Sequence, residues 1–261
     1  MDRIAYRNFT ERLNCILQQH DQVIGLVAVG SMAERNYLPD EWSDHDFYII
    51  THPGQQNYYR SNYDWLPDPG EIAWVFPETE HGVKVIYRDG HLVEYAVFDL
   101  QELNVAKANR FRVLIDKGGV QQAMAAVASA TIEWSTKSTD QYLAGQFLTN
   151  LLVGIGRYRR GERMSAHKFI KGSAPGYLVT LFSRHVCSAD PNLVDNIDST
   201  RRFERTHPEL GRELERLMLV TLPESARGQL ALFQQFLGAE RMSIPVGVIE
   251  IIRQAVSVGD D

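Results

Sequence analysis

The chain has 261 residues, 44% of them hydrophobic and 23% charged, with a formal net charge of −6. This is globular composition, enough for one large domain or two ordinary ones, and its acidic balance argues against a template-directed polymerase that must attract nucleic acid. No apolar run has membrane-span length, Met1 to Gln19 lacks the continuous apolar core of a signal peptide, and Cys15 and Cys187 are the only cysteines, so a cytoplasmic protein without a disulfide framework is expected.

Ile4 to Gln19 carries Ile4, Phe9, Leu13, Ile16 and Leu17 at near-helical spacing, which predicts an amphipathic helix. Val23 to Val29 reads as a buried strand, ended by Gly30-Ser31, where a turn would expose backbone N–H groups and a hydroxyl to an anion. A polar loop with Pro39 leads to a second strand that opens with Asp44 and Asp46. Alternation along a strand points these two carboxylates one way and His45 the other. Gly54 to Leu66 could form a helix before Pro67 and Pro69. Strand-like runs follow at Glu71 to Phe76, Val83 to Arg88 and His91 to Phe98, the last two joined by a hairpin signal at Asp89-Gly90. Phe111 to Ile115 is another short apolar run.

From Val120 the texture turns helical. The patterns cover Gln121 to Trp134, Gln141 to Arg160, Met164 to Val186 with a break near Gly172 to Pro175, Pro208 to Val220, Pro223 to Arg241 and Pro245 to Val256. Ser188 to Ser199 is the expected long loop. The fold class expected is α+β: a domain over 1–118 with a mixed β-sheet and helices on one side, then an all-helical bundle over 119–261.

Two like charges side by side are unfavourable unless something positive lies between them, and Mg²⁺ suits one or two carboxylates completed by phosphate oxygens. The blander reading of Asp44 and Asp46 is a turn cap before the strand. Glu94 sits mid-strand among apolar neighbours, where an ionised carboxylate needs metal, partner or substrate to compensate. Asp99, just before Leu100 to Leu103, is its rival, and an N-cap explains Asp99 fully. Ser31 could be an ordinary N-cap, and Arg35 could neutralise phosphate or simply face water.

Gly-Ser, a loop, then Asp-x-Asp opening a strand resembles the nucleotidyltransferases of the DNA polymerase beta superfamily, particularly small bacterial enzymes that adenylylate antibiotics. The resemblance covers roughly the first 115 residues, and the second half looks like the helical domain of lincosamide and aminoglycoside nucleotidyltransferases. It implies Mg²⁺, as two ions, with a nucleoside triphosphate as co-substrate. Asp44, Asp46 and Glu94 would be the catalytic carboxylates and metal ligands. Many family members have aspartate at the third position, and glutamate there favours a general-base role. Gly30, Ser31 and Lys168 would bind the nucleotide.

Lys168 belongs to the densest basic cluster, Arg157 to Arg163 with His167, Lys168 and Lys171; the alternative there is a helix end whose cations favour the helix dipole. Trp42, Tyr48, Tyr58, Tyr59, Tyr63, Trp65 and Trp74 supply stacking surface or groove wall. The histidines show no zinc-ligand spacing, and no Gly-x-Ser-x-Gly elbow occurs.

The expected activity is transfer of a nucleoside monophosphate, AMP from ATP, to a hydroxyl of a small molecule, an antibiotic of lincosamide or aminoglycoside type. Protein adenylylation and a catalytically silent nucleotide-binding protein are the alternatives. The partners implied are the triphosphate and the acceptor, with neither nucleic acid nor membrane, and a homodimer left open.

Overall fold

The computed structural model describes residues 2–33 and 38–257. Arg35 falls outside them. The chain divides into two compact units, Met1–Trp134 and Ser135–Asp261.

The first unit begins with α1 (Arg3–Gln18), capped by Asp2, whose carboxylate accepts from the Ala5 N–H at 2.8 Å. Its buried residues Tyr6, Phe9, Leu13 and Leu17 fall at helical spacing and cover one face of the sheet. The strands are β1 (Val23–Val29), β2 (His45–Thr51), β3 (Ile72–Pro77), β4 (Gly82–Tyr87), β5 (Leu92–Phe98) and β6 (Phe111–Asp116), arranged β3-β4-β5-β2-β1-β6. All neighbours pair antiparallel except β2 and β5, which run parallel, so the sheet is mixed. A parallel pair needs a crossover, and here it is supplied by α2 (Gln56–Ser61) and the β3–β4 hairpin.

Helices lie on both faces rather than on one. Tyr59 of α2 joins the α1 side. On the other side α3 (Val120–Thr136) packs Val120, Met124 and Val127 against Ile24, Val27, Ile50 and Phe98. The first compact unit therefore ends at Trp134, whereas the change of texture in the sequence falls at residue 118. The helix expected over Gly54 to Leu66 shrinks to α2. Asn62 already has extended backbone, and Trp65 leaves the helix to pack edge-on against Tyr59 and Tyr95.

In the second unit, α4 (Asp140–Arg159), α5 (Arg163–His167), α6 (Ala174–His185), α7 (Phe203–Thr206), α8 (Pro208–Leu219), α9 (Leu222–Phe236) and α10 (Val246–Ser257) surround one apolar core. Between α5 and α6 the helix widens into a π-turn, Lys168–Ser173, in which the Ala174 N–H reaches back to the Phe169 carbonyl. Pro175 follows and has no N–H to give, so the Ile170 carbonyl loses its helical donor. The buried Gln229 amide donates to that carbonyl at 2.9 Å. Helix α4 comes close to this turn at Gly154, where a Cβ would meet Ile170 Cγ1 at 2.5 Å.

Candidate active site

Strand β1 runs straight into a short 3₁₀ turn, Gly30–Ala33. Gly30 takes φ +55, a left-handed conformation that glycine adopts without penalty. A Cβ on Gly30 would lie 2.6 Å from Asp46 Oδ2, so the missing side chain leaves room beside that carboxylate.

Strand β2 starts at His45, one residue later than the sequence suggests. The Asp44 carbonyl is occupied elsewhere: the Tyr6 hydroxyl donates to it at 2.8 Å and the Ser31 hydroxyl at 3.2 Å. Asp44 therefore stands at the mouth of the strand, pinned by α1 and by the glycine turn. Ser31 is buried, and its hydroxyl also lies 3.2 Å from that of Tyr6.

Asp46 and Glu94 are register partners across the parallel β2–β5 pair, and Lys84 is the partner of Glu94 across β4–β5. Residues paired in register share a sheet face, so Lys84, Glu94 and Asp46 form one row on the side away from α1. Lys84 Nζ lies 2.9 Å from Glu94 Oε1 and 2.9 Å from Glu78 Oε1. Hydrogen bonds to Glu78 and Glu94 push the lysine's pKa up, so it stays protonated. Tyr48, two residues beyond Asp46, is pushed up to about 12 by burial and by the Asp46 charge, and it donates to the Lys107 carbonyl at 2.7 Å.

On the opposite face, His45 and His91 are buried and joined, His45 Nδ1 to His91 Nε2, at 2.7 Å. The Tyr6 ring stacks on His45 at 3.8 Å. Burial, then the neighbouring His91, drives His45 down to about 3; burial likewise lowers His91, while the charges of Asp89 and Asp44 pull it up.

The donor set suits a hard cation in its chemistry. Asp46, with Glu94 opposite and Asp44 two residues before it, offers carboxylate oxygens only, and Mg²⁺ needs one or two of these when phosphate completes its shell. Among the described residues no three His, Cys, Asp or Glu side chains stand close enough to hold an ion together, and Glu94 is already tied to Lys84. The donor chemistry at Asp46 is that of a hard-cation site, and Glu94 opposite it is held by Lys84.

Asp99 is a cap: its Oδ1 accepts from the Gln101 and Glu102 N–H groups, each at 2.8 Å, and Gln56 donates to its Oδ2 at 2.9 Å. Lys168 lies in the second unit, exposed on the π-turn. Most of its basic neighbours have structural work within that unit. Lys171 donates to the Met218 and Val220 carbonyls at the end of α8, Arg157 pairs with Glu162, and Arg163 lies 3.7 Å over the ring of Tyr158.

Lys84, Tyr6 and the histidine pair were not singled out from the sequence. The alternation Val83-Lys84-Val85 was the available signal for Lys84, since a lysine between buried strand residues shares its face with a neighbouring strand's polar position. Nothing local links Tyr6 to Asp44 or His45 to His91.

No protein-family model matches the chain, and no curated protein matches it. Among solved structures, the chain is similar to the crystal structure of an aminoglycoside 6-adenyltransferase from Bacillus subtilis, at 11% identity and a TM-score of 0.38, over 95% of this chain and 96% of that one. At that identity and score, the activity named for the neighbour stays the neighbour's.

Proposed function

We propose that the chain is a Mg²⁺-dependent nucleotidyltransferase that moves AMP from ATP to a hydroxyl of a small molecule, an antibiotic of lincosamide or aminoglycoside type. The observation that carries this reading is the register of Asp46 opposite Glu94, beside a glycine at which any Cβ would strike Asp46 Oδ2. The Gly30-Ser31 and Asp-x-Asp pattern of the sequence supports it.

In this reaction the acceptor oxygen attacks the α-phosphorus, the bond to pyrophosphate breaks, and the hydroxyl proton must go to a base. Glu94 is assigned that proton, and Lys84 lies beside it with Nζ 2.9 Å from Oε1. Asp46, with Asp44, would hold Mg²⁺, which when bound neutralises charge developing on the phosphoryl and leaving oxygens. Gly30 and Ser31 are assigned to the triphosphate. The Ser31 hydroxyl can turn to a phosphate at little cost, because the Asp44 carbonyl keeps Tyr6 as its donor.

The test is pyrophosphate release by the purified protein with ATP and Mg²⁺ across a panel of antibiotics. Release should need both an acceptor and Asp46, and Asp46→Asn should abolish it. Identical behaviour of wild type and Asp46→Asn would overturn the assignment. The ion pair between Lys84 and Glu94 favours a second reading, a nucleotide-binding protein without turnover. Calorimetric binding of ATP with Mg²⁺, and no pyrophosphate with any acceptor, would select it.

A further inference from the structure

Helix α3 packs on Ile24, Val27, Ile50 and Phe98, at one end of the sheet face that carries Asp46 and Glu94. Toward the β3 edge the same face carries Trp74, Phe76, Ile86 and Leu92, and none of these four enters an apolar core among the described residues. Trp74 is 58% exposed and Phe76 half-buried, and their rings stack with centroids 4.7 Å apart.

The strand itself keeps this pair outside. β3 has a register shift between Ile72 and Trp74, which turns Ile72 with Val75 into the core under α1 and leaves the two aromatics on the opposite side. Without the shift, Ile72 would share the face of Trp74. Scattered exposed apolar residues are ordinary, but a contiguous aromatic patch marks a place where something docks.

The row beside the patch sets what docks there. Phe76, Lys84, Glu94 and Asp46 are successive register partners from β3 to β2. Neighbouring strands lie about 4.8 Å apart, so Phe76 stands about 10 Å from Glu94, on the side away from Asp46. In the proposed transfer Glu94 takes the acceptor's proton and Asp46 serves the triphosphate, which puts the aromatic pair on the acceptor's side. Lys84 is shared by Glu78 and Glu94, leaving one formal negative charge in excess beside the rings. A second copy of the chain fits this edge poorly, since Pro77 of β3 has no N–H to pair with another strand.

We infer that Trp74 and Phe76 seat one ring of the acceptor, which makes the acceptor a hydroxyl-bearing amine of at least two linked rings. One ring lies on Trp74 with its ammonium over the indole, and the reacting hydroxyl sits about 10 Å away at Glu94. A single six-membered ring cannot reach both places. The span rests on the proposed transfer, which fixes its Glu94 end, whereas the seat on Trp74 can be tested without it.

The probe is neamine, two linked amine-bearing rings, titrated by calorimetry into the full chain without nucleotide, with 2-deoxystreptamine as one of those rings alone. Neamine should saturate at one site, and 2-deoxystreptamine should bind at least about tenfold more weakly. Trp74→Ala should weaken neamine about tenfold, and Trp74→Tyr should recover most of that loss. In the pyrophosphate assay Trp74→Ala should raise the KM for neamine about tenfold and leave the KM for ATP where it was. Release with neamine and an unmoved neamine KM in Trp74→Ala overturns the seat and leaves the transfer standing. Trp74-dependent binding without release overturns the transfer and upholds the seat. Absence of saturable neamine binding, equal binding of the single ring, or a wild-type dimer that Trp74→Ala makes monomeric in sedimentation also overturns the inference.

Discussion

Gly30 lies against Asp46 so closely that any side chain at 30 would strike the carboxylate, with Cβ and Oδ2 at 2.6 Å. Gly30→Ala must therefore move the group proposed to hold Mg²⁺, and it also places a side chain at φ +55. The left-handed backbone should cost about 1 kcal/mol of stability. Displacement of Asp46 should lower pyrophosphate release about a hundredfold. A thermal melt paired with the release assay separates the two effects. Full activity in Gly30→Ala would mean that Asp46 is not at the reacting centre.

Lys84 and Glu94 should behave as one functional unit. Glu94→Gln is expected to reduce pyrophosphate release about a hundredfold or more, in the range for losing a general base. Lys84→Met should reduce it about tenfold, and the double variant should be no worse than Glu94→Gln, because the lysine acts through the glutamate. Both side chains of the pair are partly exposed, so folding stability should change little. Additive losses in the double variant would show that Lys84 acts on its own.

The histidine pair should make folding sensitive to mild acid. An unfolded histidine titrates near 6.5, and burial pushes His45 down to about 3 with His91 lowered as well. Below 6.5 the unfolded chain therefore binds more protons than the folded one, and stability falls as pH falls. One imidazole contributes a loss of about 1 kcal/mol for each pH unit across this window. The carboxylates with lowered pKa, Asp68, Asp116, Asp140 and Glu213, act in a separate range: their contribution is present above the ordinary carboxylate value and is lost only as pH falls through their lowered ones. Urea midpoints measured from about pH 7.5 to about 5.5 should decline, with a shallower slope in His91→Gln. A flat profile would refute buried neutral imidazoles.

Gln229 should matter because of Pro175, far away in sequence. Gln229→Leu removes the donor to the Ile170 carbonyl and should destabilise the protein by about 1–3 kcal/mol, the cost of an unsatisfied buried acceptor. Pro175→Ala restores an N–H in the helix and should recover part of that loss in the double variant. No rescue in a denaturant titration would locate the Gln229 effect in packing instead.

The strands and long helices were legible wherever one face is buried, as in Tyr6, Phe9, Leu13 and Leu17 on α1 or the fully apolar β1. The turn at Gly30 and the two aspartates were also readable, since a strand-ending glycine followed by spaced carboxylates is local information. What stayed hidden depends on pairing between distant segments. Tyr6 reaches Asp44 and so delays the start of β2, Lys84 meets Glu94 through the β4–β5 register, and His45 meets His91 across the β2–β5 pair. The basic cluster of the second unit reads two ways, as an anion site or as a helix end, because sequence shows charge and not partners. Lys171, for example, closes the end of α8.

Because α3 supplies the apolar cover for Ile24, Val27, Ile50 and Phe98 on one face of the sheet, it sets where the gene can be cut. A truncation after Gly118 would strip Val120, Met124 and Val127 from Ile24, Val27 and Ile50 and leave a greasy patch prone to aggregation. A fragment carried through the end of that helix keeps its second core dry and is the piece to express alone.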